Sequence, residues 1–532
     1  MRITISGSES PLGRALMAGL RGEHHLSTLA VDPRDDAAVP AVMDGVEALI
    51  HLDPISVPAR GASDPEILDR SARGTYVLLR AAVAAGVRRV VVGSTLSLLE
   101  RYPASWTVDE QWQPLPDVTD VRQLAAHLAE QSARQFVFFE PVEIVCLRFG
   151  EIVEQTTATR GRDWTWLHVE DAATAVQQAL SAPLHLNVDE GRPSQRLGHG
   201  WRVYHISGAG HTRFPQTEAA AALGYRPVHD LAPGLPPQPG DAERSGDLSL
   251  PGPAHRAPFR PIRRVVVFGA GGPLAAATAQ VLAPSYQLRL TDVRPIADIA
   301  AAGVPQSPGA PLPQLLPPPH EEMQTDITDP AQVLRASQGM DAIINCTVVR
   351  HDLEQAFRVN CLGVYNVMRA AVANGIRRVV HTGPLQVSSE WPSGYAWDFD
   401  VPDESPGRSG GWLYGHSKLL GQELVRLFAE TYDLEAPALY FSIFVNPLTA
   451  RPRSGGVHAM TVTWEDAAHA MRRALEIPTL PSPFEIFHIL TNLPHGKYSS
   501  SKAQRLLGWR PRDDLHHLWA RRAGIMPRGD QD

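Results

Sequence analysis

A chain of 532 residues, 43% hydrophobic and 20% charged, is too long for one ordinary core and predicts a globular protein of several domains. Its net charge of −8, with no basic run interleaved with aromatics, argues against a nucleic-acid-binding surface, and no apolar run is long enough to span a membrane. Cys146, Cys346 and Cys361 are too widely spaced for a metal knuckle or a disulfide framework, and no signal-peptide core opens the chain, so a reducing cytoplasm is the expected location.

In chain order, an apolar strand runs into Gly7-Ser-Glu-Ser10-Pro-Leu-Gly13, and Leu29-Ala-Val-Asp32 and Ala48–Leu52 read as further strands. Helices are expected over Ser71–Ala85 and Asp120–Arg134, and Arg88-Arg89-Val90-Val91 leads into another strand. His168-Val-Glu170-Asp171 reads as a helix start with acids near the positive dipole end rather than as a ligand cluster, and no metal is expected. Ala222-Leu-Gly-Tyr-Arg-Pro227 closes the segment. Residues 228–261 are rich in Pro and Gly without apolar periodicity, which marks a linker.

The same words then return. Val265-Val-Val-Phe268 enters Gly269-Ala-Gly271-Gly272-Pro273-Leu274-Ala275, Leu288–Asp292 and Ala342–Cys346 read as strands, and Arg377-Arg378-Val379-Val380 matches the earlier Arg-Arg-Val-Val. Glu465-Asp466 and Leu506-Leu-Gly-Trp-Arg-Pro511 match the earlier helix start and closing segment. The fold class is therefore α/β: two tandem Rossmann-like, doubly wound parallel-sheet domains (residues 1–227 and 262–532), each with a small C-terminal substrate lobe. A Pro-rich stretch, Val304–Pro319, reads as a surface loop inside the second copy.

Small residues at Gly269, Gly271 and Gly272 permit a tight turn and close backbone approach, while the helix opening at Pro273-Leu274 offers N–H groups and positive dipole to a pyrophosphate. Asp292 follows Gly269 by 23 residues and ends the next strand, where a carboxylate accepts from a ribose 2′-hydroxyl. That favours NAD over NADP, with Arg294 as the one nearby cation that weakens the preference. Further on, Tyr414-Gly-His-Ser-Lys418 opens an amphipathic helix, placing a phenol and an ammonium one turn apart on one face. A fixed ammonium lowers a phenol pKa toward working pH, which makes the pair a proton-transfer device. Only three of the 49 basic residues are lysines, and Lys418 is one of them.

Together Gly-x-x-Gly-x-x-Ala, Asp292, Asp326-Ile327-Thr-Asp329, Asn360-Cys-Leu-Gly-Val-Tyr-Asn366 and Tyr414-x-x-x-Lys418 resemble extended short-chain dehydrogenases/reductases of the NAD-dependent epimerase/dehydratase type. The resemblance implies that Asp326 and Ile327 flank the adenine, that Lys418 also holds the nicotinamide ribose, and that Tyr414 is the general acid/base. It also implies a hydroxyl donor where this chain has Pro384, leaving Thr382, Ser388 or Ser389 as substitutes, of which Thr382 is nearest the strand. The first copy has Ser10 at its middle glycine position, Arg122 and Ala126 where Tyr414 and Lys418 align, and no lysine before residue 262. It also lacks a stretch: Gly7 and Asp32 are 25 residues apart against 57 for Gly269 and Asp326, as if a strand beside the adenine pocket were deleted. The expected protein is thus an NAD-dependent oxidoreductase or epimerase/dehydratase acting on a small, hydroxylated, sugar-like molecule. Its degenerate first copy pairs with the second through long helices as an intrachain pseudo-dimer. The alternative is a non-catalytic NAD(P)-binding sensor or scaffold.

Overall fold

The computed structural model describes residues 1–57, 60–154, 165–183, 200–208, 213–229, 261–306, 309–384, 401–448, 460–493 and 497–516. Residues 230–260 of the expected linker, and Ser388 and Ser389, lie outside these residues. Among the described residues, no helix is long and apolar enough to cross a membrane.

Two sheets organise the chain. The first contains β1 (Arg2–Ser6), β2 (His25–Thr28), β3 (Ala48–His51), β4 (Arg89–Thr95), β5 (Glu143–Phe149) and β6 (Trp201–Ile206). Their order is β2-β1-β3-β4-β5-β6, with every pairing parallel. The second contains β7 (Arg264–Phe268), β8 (Gln287–Asp292), β9 (Glu321–Gln324), β10 (Ala342–Asn345), β11 (Arg378–Pro384), β12 (Ala436–Phe441) and β13 (Phe484–His488). Their order is β9-β8-β7-β10-β11-β12-β13, again all parallel. Parallel strands need crossovers, so the helices cover both faces and the strand interiors read as unbroken Val, Ile and Leu. The crossovers used below are α1 (Pro11–Gly19), α2 (Asp64–Ala84), α3 (Val121–Phe136), α4 (Val169–Ser181), α5 (Pro273–Leu282), α6 (Val364–Ala373), α7 (Leu413–Thr431) and α8 (Trp464–Glu476).

The second sheet has one more edge strand, β9, which is the strand whose absence the shorter Gly7–Asp32 spacing implies. The first sheet also corrects a boundary. Leu29–Asp32 is not a strand, because β1 ends at Ser6 and its last carbonyl partner, Ile5, takes the Leu29 N–H at 2.9 Å. The ladder has nothing further to pair with, and Asp32 sits four residues beyond β2.

The repeated words have physical causes. Arg89 and Arg378 open β4 and β11 almost completely buried. Arg89 donates to the carbonyls of Ala179 and Ala182, both at 2.7 Å, and Arg378 to Ala474 at 2.7 Å and Ile477 at 2.8 Å. Each guanidinium therefore satisfies orphan carbonyls at the negative end of α4 or α8. Asp171 likewise takes the backbone N–H groups of Val228 and His229, and Asp466 those of Arg512 and Asp513. These bonds tie the closing Gly-Tyr-Arg-Pro and Gly-Trp-Arg-Pro segments to the helix starts, with Tyr225 and Trp509 buried behind them.

Outside the main sheets, Ile152–Val153 pairs with Leu167–His168, and Ile443–Val445 with Thr461–Thr463. Small apolar clusters form around Tyr102 and Phe214 in one half and around Val401 and Tyr498 in the other. The chain groups into two compact units. One holds Met1–His255, Val349–Leu362 and Arg408–Glu423, and the other holds Arg256–Val348, Gly363–Gly407 and Leu424–Asp532. No sequence range anticipated that two pieces of the second half belong with the first unit.

Within that first unit, α2 and α3 pack with those two pieces through buried polar and aromatic contacts. The Tyr76 hydroxyl donates to the Gly411 carbonyl at 2.7 Å, and its ring meets Phe357 and His416. Ser132 Oγ bonds His416 Nε2 at 2.8 Å, and the Gln135 amide oxygen takes the Ser409 N–H at 2.8 Å. Unmade, each of these buried bonds would leave a desolvated group costing about 1–3 kcal/mol. They fix the start of α7, and with it Tyr414.

Candidate functional site

In the second unit, β7 ends at Phe268 and the chain turns at Gly269, whose φ of +77° is the left-handed value that only glycine adopts freely. Its neighbour Gly271 is needed for another reason. A Cβ there would lie 2.4 Å from Ile299 Cδ1 and 2.9 Å from Asp292 Oδ2, so only glycine lets the turn close on that carboxylate. The Gly271 N–H donates to Asp292 Oδ2 at 3.0 Å, and Arg294 N–H reaches Oδ1 at 3.3 Å. The Arg294 side chain is exposed.

Gly272 caps α5 with no side chain to offer, Pro273 takes the first position, and Leu274 follows in the first turn. The helix end therefore keeps N–H groups and positive dipole for an anion. Next along the sheet edge, the Thr325 N–H bonds the Asp292 carbonyl at 2.8 Å and draws Asp326 toward the same end. Asp326 Oδ1 takes the Thr328 N–H at 2.8 Å, Ile327 is buried, and Asn366 Nδ2 on α6 holds the Ile327 carbonyl at 3.0 Å. At Gly271 the space a Cβ would need is taken by Ile299 and Asp292, so the turn packs directly against the acid, and the chemistry of the site, a helix end with no side-chain cap beside two acids, suits the pyrophosphate and ribose of a dinucleotide.

Thr382 on β11 donates its single O–H to the Asn345 carbonyl at 2.9 Å, so it is committed to the neighbouring strand.

In the first unit, a π-helical turn at Arg358–Gly363 carries Asn360, which is fully buried. Such turns commonly re-aim a side chain at a functional position. The Asn360 amide takes the Val349 N–H at 3.0 Å and donates to the Val349 carbonyl at 2.7 Å and to Ser417 Oγ at 3.0 Å. Ser417 in turn donates to the Tyr414 carbonyl at 3.2 Å. One amide thus locks a loop residue to the first turn of α7. Asn360 belongs to a quoted motif, but its isolation in an apolar run is the signal that could have assigned it this role.

Tyr414 is half-buried against Trp412, with ring centroids 5.2 Å apart and edge to face, while Lys418 one turn on is buried. Burial raises the Tyr414 pKa above that of a free phenol, and the cation that opposes the rise is Arg350. This corrects the expectation that Lys418 holds the phenol pKa down. Desolvation is the larger effect, and the guanidinium, 5.2 Å from the ring centroid, is the group that faces it.

The first unit's own glycine turn is differently built. Gly7 has φ +67°, but the helix that follows is capped from within: Ser10 Oγ accepts the Gly13 N–H at 3.0 Å. Asp32 is gripped by Arg34 at 2.7 Å, with Arg70 at 3.8 Å, and the Arg34 hydrogen bonds hold its pKa down at about 2. Arg122 is exposed and Ala126 buried at the positions aligned with Tyr414 and Lys418. The hydroxyl of Thr95 takes the Ser97 N–H.

His168, Glu170 and His229 come close together, which the separation of His229 in sequence concealed. The two imidazoles stack face to face at 3.8 Å and 19°, so their in-plane lone pairs run alongside rather than converging on a common point. His168 caps α4 by accepting the Glu170 N–H, and His229 is held by Asp171 at 3.1 Å. These bonds account for the cluster as a helix start.

Residues 265–476 match the NAD dependent epimerase/dehydratase family. The chain is 26% identical over 222 residues to a uronate dehydrogenase of Pseudomonas syringae pv. tomato, covering 41% of this chain and 71% of that one. It is 25% identical over 269 residues to an L-arabinose 1-dehydrogenase (NAD(P)(+)) of Haloferax volcanii, covering 47% and 97%. Among solved structures, a glucuronic acid dehydrogenase from Chromohalobacter salexigens is similar over 51% of this chain and 93% of that one, at 22% identity and a TM-score of 0.39. The likeness to the NAD dependent epimerase/dehydratase family thus rests on residues 265–476, the stretch that holds Gly269, Asp292, Tyr414 and Lys418.

Proposed function

We propose that the chain is an NAD-dependent oxidoreductase or epimerase/dehydratase acting on a hydroxylated, sugar-like small molecule. Catalysis belongs to residues 262–532, and residues 1–227 serve as a structural partner in an intrachain pseudo-dimer. The observation that carries this reading is the uncapped, acid-flanked helix end at Gly272, which lies in the segment matching the family. Gly269, Gly271, Gly272, Pro273 and Leu274 would hold the pyrophosphate, Asp292 the adenosine ribose, and Asp326 with Ile327 the adenine. Asp292 repels a 2′-phosphate, which favours NAD over NADP despite Arg294.

When bound, NAD supplies the hydride acceptor. Tyr414, as phenolate, takes the proton of the substrate hydroxyl while the carbinol C–H bond gives up its hydride and the C–O bond becomes a carbonyl. Lys418 holds the nicotinamide ribose, and Asn360 with Ser417 keeps the tyrosine turn in register. The relatives' substrates, a uronate and L-arabinose by their names, support a sugar.

The second reading, a sensor or scaffold that binds NAD without turnover, draws on Thr382, whose hydroxyl is committed to Asn345, and on Pro384, which has no donor. NADH fluorescence titration, with turnover of D-glucuronate, D-galacturonate and L-arabinose by wild type and Tyr414→Phe, separates the two. Turnover that depends on Tyr414 supports the enzyme, whereas binding with no turnover of any sugar supports the sensor.

A further inference from the structure

Arg350 lies on the loop after β10, exposed, in the first compact unit together with Tyr414. The residue before it, Val349, has both backbone groups bonded to the Asn360 amide, and the same amide reaches Ser417 in the tyrosine turn. The base of the arginine is therefore built into the framework that positions Tyr414. Its guanidinium lies over the Tyr414 ring, 5.2 Å from the centroid.

Nearby and comparable arginines are paired with acids: Arg358 with Glu354, Arg34 with Asp32 and Arg73 with Asp69. Among the described residues, Arg350 has no carboxylate within ion-pair distance. An exposed guanidinium held against a phenol, with its fork of N–H donors not spent on a protein acid, suits a planar, two-oxygen anion.

We propose that Arg350 binds the carboxylate of a sugar-acid substrate whose reacting hydroxyl meets Tyr414, so that the site selects uronates over neutral sugars. This rests on the reading of Tyr414 as the proton-transfer residue and adds the substrate class. Binding the carboxylate leaves the redox step unchanged. Arg350 orients the sugar by its acid end, within one pyranose ring of the phenol, and supplies a donor that does not depend on the loop at Pro384. A neutral sugar would leave the guanidinium without an acid partner and lose that orientation.

The test is calorimetric binding of D-glucuronate and D-glucose to the full-length chain in the presence of NADH, for wild type, Arg350→Gln and Arg350→Lys. Wild type should prefer D-glucuronate by about 10- to 100-fold, Arg350→Gln should lose that preference, and Arg350→Lys should recover part of it, because a charge-assisted fork is being removed or replaced by a point charge. NADH affinity unchanged in Arg350→Gln reports an intact fold. Equal affinity of wild type for the two sugars, or an equal loss for both in Arg350→Gln, overturns the proposal. Tyr414→Phe measured alongside keeps the two readings apart. If Tyr414→Phe turns over like wild type while Arg350→Gln loses the glucuronate preference, the proton-transfer role fails and the carboxylate role stands.

Discussion

The turns at Gly7–Pro11 and Gly269–Pro273 start from the same need, a strand that must reverse into a helix, and end in opposite chemistry. Both use a positive-φ glycine and a proline at the first helical position. At the first, Ser10 fills the helix end with its own hydroxyl and two arginines neutralise Asp32. At the second, Gly272 leaves the helix end uncapped, and the described partners of the Asp292 carboxylate are backbone N–H groups. A helix terminus can be satisfied by its own chain or by a ligand, and one side chain decides which.

The sharpest way to break the contrast between the halves is at the helix pair. Tyr414→Phe should lower turnover by about 10³-fold, within the range for loss of a general acid/base, with NADH affinity kept. Substitution of Arg122, its counterpart by alignment, should leave the rate unchanged. Steady-state kinetics with a uronate checks both. Because burial raises the Tyr414 pKa, the rate of alcohol oxidation in wild type should keep climbing with pH toward at least about 10, as the phenolate fraction grows.

A smaller effect is expected at the turn itself. Gly271→Val puts a side chain where Ile299 and Asp292 already stand, and NADH affinity should fall by about 100-fold, as expected when several backbone-to-phosphate bonds are lost together. Fluorescence titration reads this directly.

Acid stability gives a further test, at the end of β3. In the first unit, His51 is buried between Ser6 Oγ at 2.7 Å and Thr75 Oγ1 at 2.8 Å, and burial lowers its pKa to about 4. The second sheet has Asn345 as the corresponding last residue of its strand. Above the unfolded value of 6.5 both states are neutral. As pH falls from 6.5 to 4 it is mainly the unfolded chain that takes the proton, so about 3 kcal/mol of stability is lost across that window, and the loss levels off below it. Urea denaturation at several pH values should show this loss in wild type and a flatter profile in His51→Gln. Smallest of all, Ser10→Ala should destabilise the chain by about 1 kcal/mol, the worth of an N-cap, without changing NADH affinity.

Much of this was legible in the residues. Strand runs of Val and Ile, the glycine turns and the acid at the end of β8 are local signals, and local physics decides them. Arg-Arg-Val-Val and Glu-Asp-Ala-Ala could be seen to recur, but not why, because their partners are helix ends roughly 60–100 residues away. Leu29–Asp32 misled because an apolar run becomes a strand only where a neighbour has ladder bonds left to give. Arg350 was invisible for a related reason. It meets Tyr414 only because Asn360 bonds both the loop and the tyrosine turn, and no spacing announces a contact made through a third residue. Similarly, the phenol's pKa depends on burial, which a Tyr-x-x-x-Lys spacing does not contain.

One dinucleotide should bind per chain, at the second turn. Calorimetric titration with NADH on wild type, Gly271→Val and Ser10→Ala tests it most directly. The expected stoichiometry is one, lost in Gly271→Val and retained in Ser10→Ala. Two sites per chain, or a single site lost in Ser10→Ala and retained in Gly271→Val, would contradict it.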